Sequence, residues 1–159
     1  MDFKVYLNKT NCALILFTVL IFTSCGKCDK VSTHENVEQT IIAIERKALD
    51  QWAAGNPMGF IAEFADDVTY IEDALSVRID GLEAMRNFVA TLEGKIPPHK
   101  YELVNPKVQV YGDITILTLQ YNGRMPNGDK LPPWNATTVY RWTEGKWLVV
   151  HAHWSEVKE

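Results

Sequence analysis

The chain has 159 residues, 47% of them apolar and 23% charged, with a formal net charge of −4, a pI of about 5.6 and a mean hydropathy of −0.13. These values describe one globular domain and exclude a disordered chain, which would carry fewer apolar residues. The acidic balance gives no sequence-wide attraction to nucleic acid, so no nucleic-acid partner is expected.

The amino terminus differs in composition from the rest. Lys4 and Lys9 precede an uncharged run from Ala13 to Phe22, and Thr23-Ser24-Cys25-Gly26 follows. The run is shorter than the roughly 20 apolar residues that span a bilayer. It reads as an export signal: a basic start, a short apolar centre and small residues before a cut. Phe22-Thr23-Ser24-Cys25 resembles the lipobox of bacterial lipoproteins, although Phe22 stands where Leu is usual. The resemblance implies lipidation at Cys25 and an exported, membrane-anchored protein facing the periplasm or the cell surface. The expected organisation is a signal over 1–24, a tether over 25–33 and one domain over 34–159. Removing 1–24 takes away Asp2, Lys4 and Lys9 and leaves 135 residues, 14 basic and 19 acidic, net −5. A chain of that length buries roughly two-thirds of its unfolded surface and needs no disulfide support. With Cys25 lipidated, Cys28 is the one remaining mature cysteine and reads as a free thiol in the tether.

Ser32-Thr33-His34-Glu35 has the form of a capping box, and Val37, Ile41, Ile44, Ala48 and Trp52 recur at helical spacing up to Gly55. Asn56-Pro57 supplies a cap and a first-turn proline for a short second helix carrying Phe60, Ile61 and Phe64. Asp66-Asp67 reads as a turn before a strand in which Val68, Tyr70 and Glu72 share a face. Asp80 with Glu83 predicts the cap of a third helix, whose apolar side is Leu82, Met85, Phe88, Val89 and Leu92.

From His99 onward the period becomes two. Leu103-Val104 and Val108–Tyr111 are interrupted at Asn105-Pro106, where proline removes a ladder donor and predicts a bulge. Strands are expected over Ile114–Tyr121, Trp134–Trp142 and Lys146–Ser155, separated by Gly112-Asp113, Pro126-Asn127-Gly128 and Glu144-Gly145. Helices followed by hairpin-linked strands predict an α+β fold, with three N-terminal helices on one face of a strongly bent antiparallel sheet. The last strand alternates Trp147, Val149, His151 and His153 with Leu148, Val150, Ala152 and Trp154, so apolar residues fall on both faces. Coverage of the second face by another copy, as a homodimer, is the expectation.

These elements together resemble the nuclear-transport-factor-2-like superfamily, and within it the SnoaL-like proteins, the ketosteroid isomerase-like proteins and the association domain of calcium/calmodulin-dependent protein kinase II. The resemblance runs from about Ile41 to Ser155. It is carried by Ala54-Gly55-Asn56, Phe64 through Thr69, Asp80-Gly81-Leu82, Asn105-Pro106 through Gly112-Asp113, and above all Glu144 through Ser155. It implies a cone-shaped fold enclosing a pocket.

In the steroid isomerases of this superfamily the catalytic aspartate falls in a stretch similar to Ala65–Gly81, and an ungapped match puts Glu72 there. The isomerase's oxyanion donor, a tyrosine on the first helix, is replaced by Ala48, which argues against steroid isomerisation itself. Arginines of the kinase association pocket align with Leu117, Thr138 and Trp154, and a pocket histidine with Met85. A pocket without those charges implies a neutral or apolar ligand. The same alignment implies a lining of Trp52, Tyr70, Met85, Leu117, Thr138, Tyr140 and Trp154.

Two functions stand side by side at this stage. One is a small-molecule-binding or assembly module without catalysis. The other is an isomerase, cyclase or dehydratase with Glu72 as general base, desolvation having raised its pKa. His151-x-His153 could supply two metal ligands, but only His34 and His99 are available beyond them, so neither metal nor cofactor is expected. If Trp154 faces the cavity, both histidines face the dimer contact; the opposite register would make His153 a catalytic candidate.

Overall fold

The computed structural model describes residues 30–158, with side chains from Asn36 onward. The predicted signal, Cys25 and Cys28 lie outside the described residues. Helix α1 (Lys30–Ala53) begins two residues before Ser32, so the predicted capping box falls inside the helix. Its inner stripe is anchored by Ile41 and Leu49, both essentially fully buried. The helix stops at Gly55, whose φ of 83° suits glycine and whose N–H donates to Trp52 O at 2.9 Å. Helix α2 (Pro57–Phe60) begins as predicted, with the Asn56 side chain accepting from Gly59 N at 3.0 Å.

Strand β1 (Phe64–Glu72) starts earlier than expected. Asp66 and Asp67 form an exposed bulge within it rather than a turn before it, because the pairing with the last strand shifts register between Phe64 and Thr69. The short β2 (Ile79–Asp80) pairs with β1, and Gly81 then opens α3 (Leu82–Ala90) without a side-chain cap. Asp80, predicted as that cap, instead holds Arg78 through two hydrogen bonds at 2.6 and 3.2 Å.

Four long strands follow: β3 (Lys100–Tyr111), β4 (Ile114–Arg124), β5 (Trp134–Thr143) and β6 (Lys146–Glu156). The sheet order is β2-β1-β6-β5-β4-β3; all pairs are antiparallel except β1 with β6, which is parallel. The parallel pair joins the first long strand to the last, a long-range meeting that no hairpin signal announces. The predicted bulge at Asn105-Pro106 is present as a register shift between Val104 and Lys107, with Asn105 at φ 50°.

A further shift lies on β6: Val139 opposes His151 while the adjacent Tyr140 opposes Val149, which leaves Val150 as the extra residue. The bulge reverses the alternation halfway along the strand. Trp147, Val149, Ala152 and Trp154 therefore share the buried face, whereas His151 is half-buried and His153 exposed on the other. The predicted grouping of Trp147 and Val149 with the two histidines is corrected by this one residue.

The helices cover the inner face, where Ile41, Val68, Met85, Val89, Leu117 and Tyr140 form a dense core. On the outer face Thr69, His151, Val139, Ile116 and Gln109 lie in one register row, and Ile71, His153, Thr137, Thr118 and Lys107 in the next. No helix among the described residues is long and apolar enough to cross a membrane.

Candidate functional site

Helices α1 and α2 and the inner sheet face leave a cavity of about 270 Å³ at the end where β1 finishes and β4 arrives. That volume falls near the lower end of small-molecule sites, roughly 300–1,000 Å³. Its walls are aromatic: Trp52 from α1, Phe60 from α2, Trp134 from β5 and Trp154 from β6. Phe60 meets Trp52 edge-on at 5.3 Å between centroids and Trp154 at 6.3 Å, so these rings brace one another. Two loops complete the mouth, one bringing Lys95, Ile96 and Pro97, the other Leu131 and Pro132.

Besides Lys95 at the rim and the Trp154 indole N–H, which is buried without a hydrogen-bond partner among the described residues, polar groups enter this lining as two pairs. In the first, the Tyr70 hydroxyl donates to Glu72 Oε2 at 2.8 Å. Both residues come from β1, two apart and hence on one face, as the strand's period dictates. Desolvation raises the Glu72 pKa above the ordinary carboxylate value, and Asp73 adds to the rise, while the Tyr70 hydrogen bond partly opposes it. In the second pair, His99 Nε2 is hydrogen-bonded to the Tyr121 hydroxyl, and His99 Nδ1 to Pro97 O at 2.8 Å. Burial raises the Tyr121 pKa, so its phenol stays protonated.

Of the predicted lining, Trp52, Tyr70 and Trp154 stand in the cavity wall, as does Glu72. Met85 and Leu117 do not: they are essentially fully buried in the packed core and leave the cavity lining to other residues. Thr138 and Tyr140 face a separate hollow of only about 10 Å³ against α1, bordered by Ala48 and Glu45. The large rings of Phe60 and Trp154 stand between the two spaces, since both residues border each of them. The volume that an alignment would assign to a deep pocket is filled by side chains, and the open space lies nearer the mouth.

Glu45 is the functional-type residue that the sequence reading passed over. It is only 3% exposed, accepts a hydrogen bond from the Tyr140 hydroxyl, and has its pKa raised to about 7. Burial is the dominant cause, offset in part by hydrogen bonds from Tyr140 and Thr138. The signal was present: Ile41, Glu45 and Leu49 are spaced i, i+4, i+8, so a carboxylate between two core residues had to be buried. His99 and Tyr121 as cavity residues had no such signal, because one lies in a loop and the other on a strand far along the chain.

His151 accepts or donates through Nδ1 to Thr69 Oγ1 at 2.8 Å on the outer face, and burial together with His153 and Arg78 lowers its pKa. The register that would have made His153 a cavity base is not adopted. Among the described residues no cluster of three or more His, Cys, Asp or Glu is placed to hold a metal ion.

The sequence profile of the calcium/calmodulin dependent protein kinase II association domain matches residues 37–158. The chain belongs to this association-domain family, with the nuclear-transport-factor-2-like, ketosteroid isomerase-like fold. It is 33% identical to a candidate ketosteroid isomerase from Parabacteroides distasonis, over 78% of this chain and 90% of that one, with a TM-score of 0.69. The fold is also that of a nuclear-transport-factor-2-like protein of unknown function from Pseudomonas putida, at 21% identity, 79% and 89% coverage and a TM-score of 0.69. The association domain of the Caenorhabditis elegans kinase is matched at 21% identity, 78% and 98% coverage and a TM-score of 0.65. Among curated proteins no sequence matches.

Proposed function

We propose that this chain binds a small, uncharged and largely apolar molecule in the mouth-side cavity, as part of a self-associated, exported assembly. The observation that carries the reading is the cavity itself: about 270 Å³ walled by four large aromatic rings, with Tyr70, Glu72, His99 and Tyr121 tied up in two hydrogen-bonded pairs. A full charge brought there would be desolvated without a salt-bridge partner other than Lys95 at the rim or Glu72 within. Titration calorimetry with thymol and with the similarly sized anion cuminate tests this. Thymol binds saturably and at least about tenfold more tightly, in keeping with the cost of burying an unpaired carboxylate. Equal affinity, or binding of neither, removes the reading.

A second reading, proton transfer by Glu72, is favoured by the Tyr70–Glu72 pair in this low-polarity wall. A carboxylate with raised pKa is a stronger base near neutrality. In that step a proton leaves carbon beside a carbonyl for Glu72 Oε, the electron pair stays on the substrate as an enolate, and the proton returns at another carbon. The likeness to a candidate ketosteroid isomerase supports the class, while Ala48 in place of an oxyanion donor argues against the steroid reaction. With a β,γ-unsaturated cyclic ketone as probe, the wild type accelerates isomerisation and Glu72→Gln lowers the rate about a hundredfold or more. A wild-type rate no greater than buffer alone rejects catalysis and leaves binding untouched.

Self-association rests on the outer sheet face, whose central rows hold no carboxylate, and on two similar structures, the kinase II hub homology domain of Chlamydomonas reinhardtii and the kinase II hub of S. rosetta. Export and lipid anchoring at Cys25 rest on the amino-terminal pattern.

A further inference from the structure

Resting on the cavity-binding reading, we propose that Tyr121 and His99 form a hydroxyl-recognising pole, so that the ligand is an alcohol or phenol whose O–H donates to Tyr121 Oη.

The direction of the hydrogen bonds carries the argument. Pro97 O can only accept, so His99 Nδ1, 2.8 Å away, carries the proton. In the neutral imidazole Nε2 is then the acceptor, and the Tyr121 hydroxyl donates to it. The phenol's single proton is thereby committed, and what Tyr121 has left to offer is an oxygen lone pair. A ligand hydroxyl fits this as the head of a chain running from ligand O–H to Tyr121 Oη–H to His99 Nε2, ending at the Pro97 carbonyl. Each bond in such a chain polarises the next. At Tyr121 Oη a ligand with only a carbonyl or ether oxygen would meet a lone pair with a lone pair.

The pole is built rather than incidental. Tyr101 stacks on Tyr121 with centroids 5.1 Å apart and planes 13° from parallel, and its own hydroxyl is held by Asp50 Oδ1 at 2.7 Å. Trp154 closes on the Tyr121 ring edge-on at 6.1 Å. The backbone N–H of His99 donates to Ala53 O at 2.9 Å, which ties the loop to the end of α1. With both rings locked, the acceptor is oriented before a ligand arrives, and little side-chain freedom is lost on binding.

The test compares thymol with thymol methyl ether, which cannot donate, by calorimetry at mildly alkaline pH on the wild type, Tyr121→Phe and His99→Ala. The readout is the ratio of the two affinities, which cancels the extra methyl group when variants are compared. Loss of the phenol oxygen in Tyr121→Phe lowers the thymol preference by roughly tenfold, the effect of one neutral hydrogen bond in a dry site. His99→Ala releases the Tyr121 proton to the ether oxygen, so the ether gains affinity, which a loosened structure would not produce. Should Tyr121→Phe fail to fold, this gain in His99→Ala decides. A ratio unchanged in Tyr121→Phe, or no gain for the ether in His99→Ala, overturns the inference. An unchanged ratio would put the acceptor on Glu72 and leave the binding reading standing. Wild-type protein that binds neither compound rejects both.

Discussion

Glu45 occupies the middle of the stripe by which α1 joins the sheet, and its burial with Tyr140 makes its ionisation part of the fold's stability. Its pKa is about 7 in the folded chain against 4.5 for the free side chain, so the folded state holds the proton more tightly than the unfolded one. The stability this group contributes is therefore full below about pH 4.5, falls as pH rises through about 7, and levels off above. The whole step is on the order of 3 kcal/mol. Chemical denaturation of wild type and Glu45→Gln at about pH 5 and pH 8 isolates it, because the variant lacks this titration. Wild type loses more stability over that interval than the variant; parallel curves would contradict the assignment. Asp67 behaves in the opposite sense. Its pKa is lowered chiefly by hydrogen bonding to Arg141, so its contribution is lost on acidification, and its exposure keeps that contribution small.

Among the elements, those built from local signals were legible. The Asn56-Pro57 start of α2, the shared face of Val68, Tyr70 and Glu72, and the bulge at Asn105-Pro106 each follow from a residue's own geometry, namely a capping side chain, a period of two and a missing N–H. The Val150 bulge was not legible. Nothing in Leu148-Val149-Val150-His151 marks an extra residue, and it shows only in the pairing of β6, which has β5 on one side and β1 on the other. One unpaired residue then decides that Trp154 and not His153 reaches the cavity. The same limit applies to α3: Asp80 with Glu83 looks like a cap, but Asp80 is taken up by Arg78 and by pairing with β1, so Gly81 begins the helix instead.

For the whole molecule the outer sheet face and the amino terminus carry the two remaining expectations. On that face Val139, Ile116 and Ile71 are half-buried, with threonines and the two histidines between them. A two-fold contact through this face would set each substitution close to its own copy. Val139→Asp thus separates the assembly into single chains in sedimentation velocity, while the thermal melt of each domain keeps its cooperativity. An unchanged sedimentation coefficient would locate self-association elsewhere. Membrane attachment is read by fractionation of the producing cells: Cys25→Ser releases the protein from the membrane fraction. Retention after that substitution would reject the lipid anchor.

By itself the sequence determined the fold class, the order of the helices and long strands, and a strand face shared by Tyr70 and Glu72, because capping, periodicity and hydrophobic patterning act over a few residues at a time; that this face looks into a cavity was implied by the family resemblance alone. Only the tertiary structure decided where the open space lies. Met85 and Leu117 are filled core, Thr138 and Tyr140 turn toward Glu45, and the cavity belongs to Trp134, Tyr121, His99 and two proline-containing loops. The physical reason is that a void is what remains after all side chains have packed. Its position depends on contacts between residues far apart in the chain, such as His99 with Tyr121 and Phe60 with Trp154, which no local pattern records.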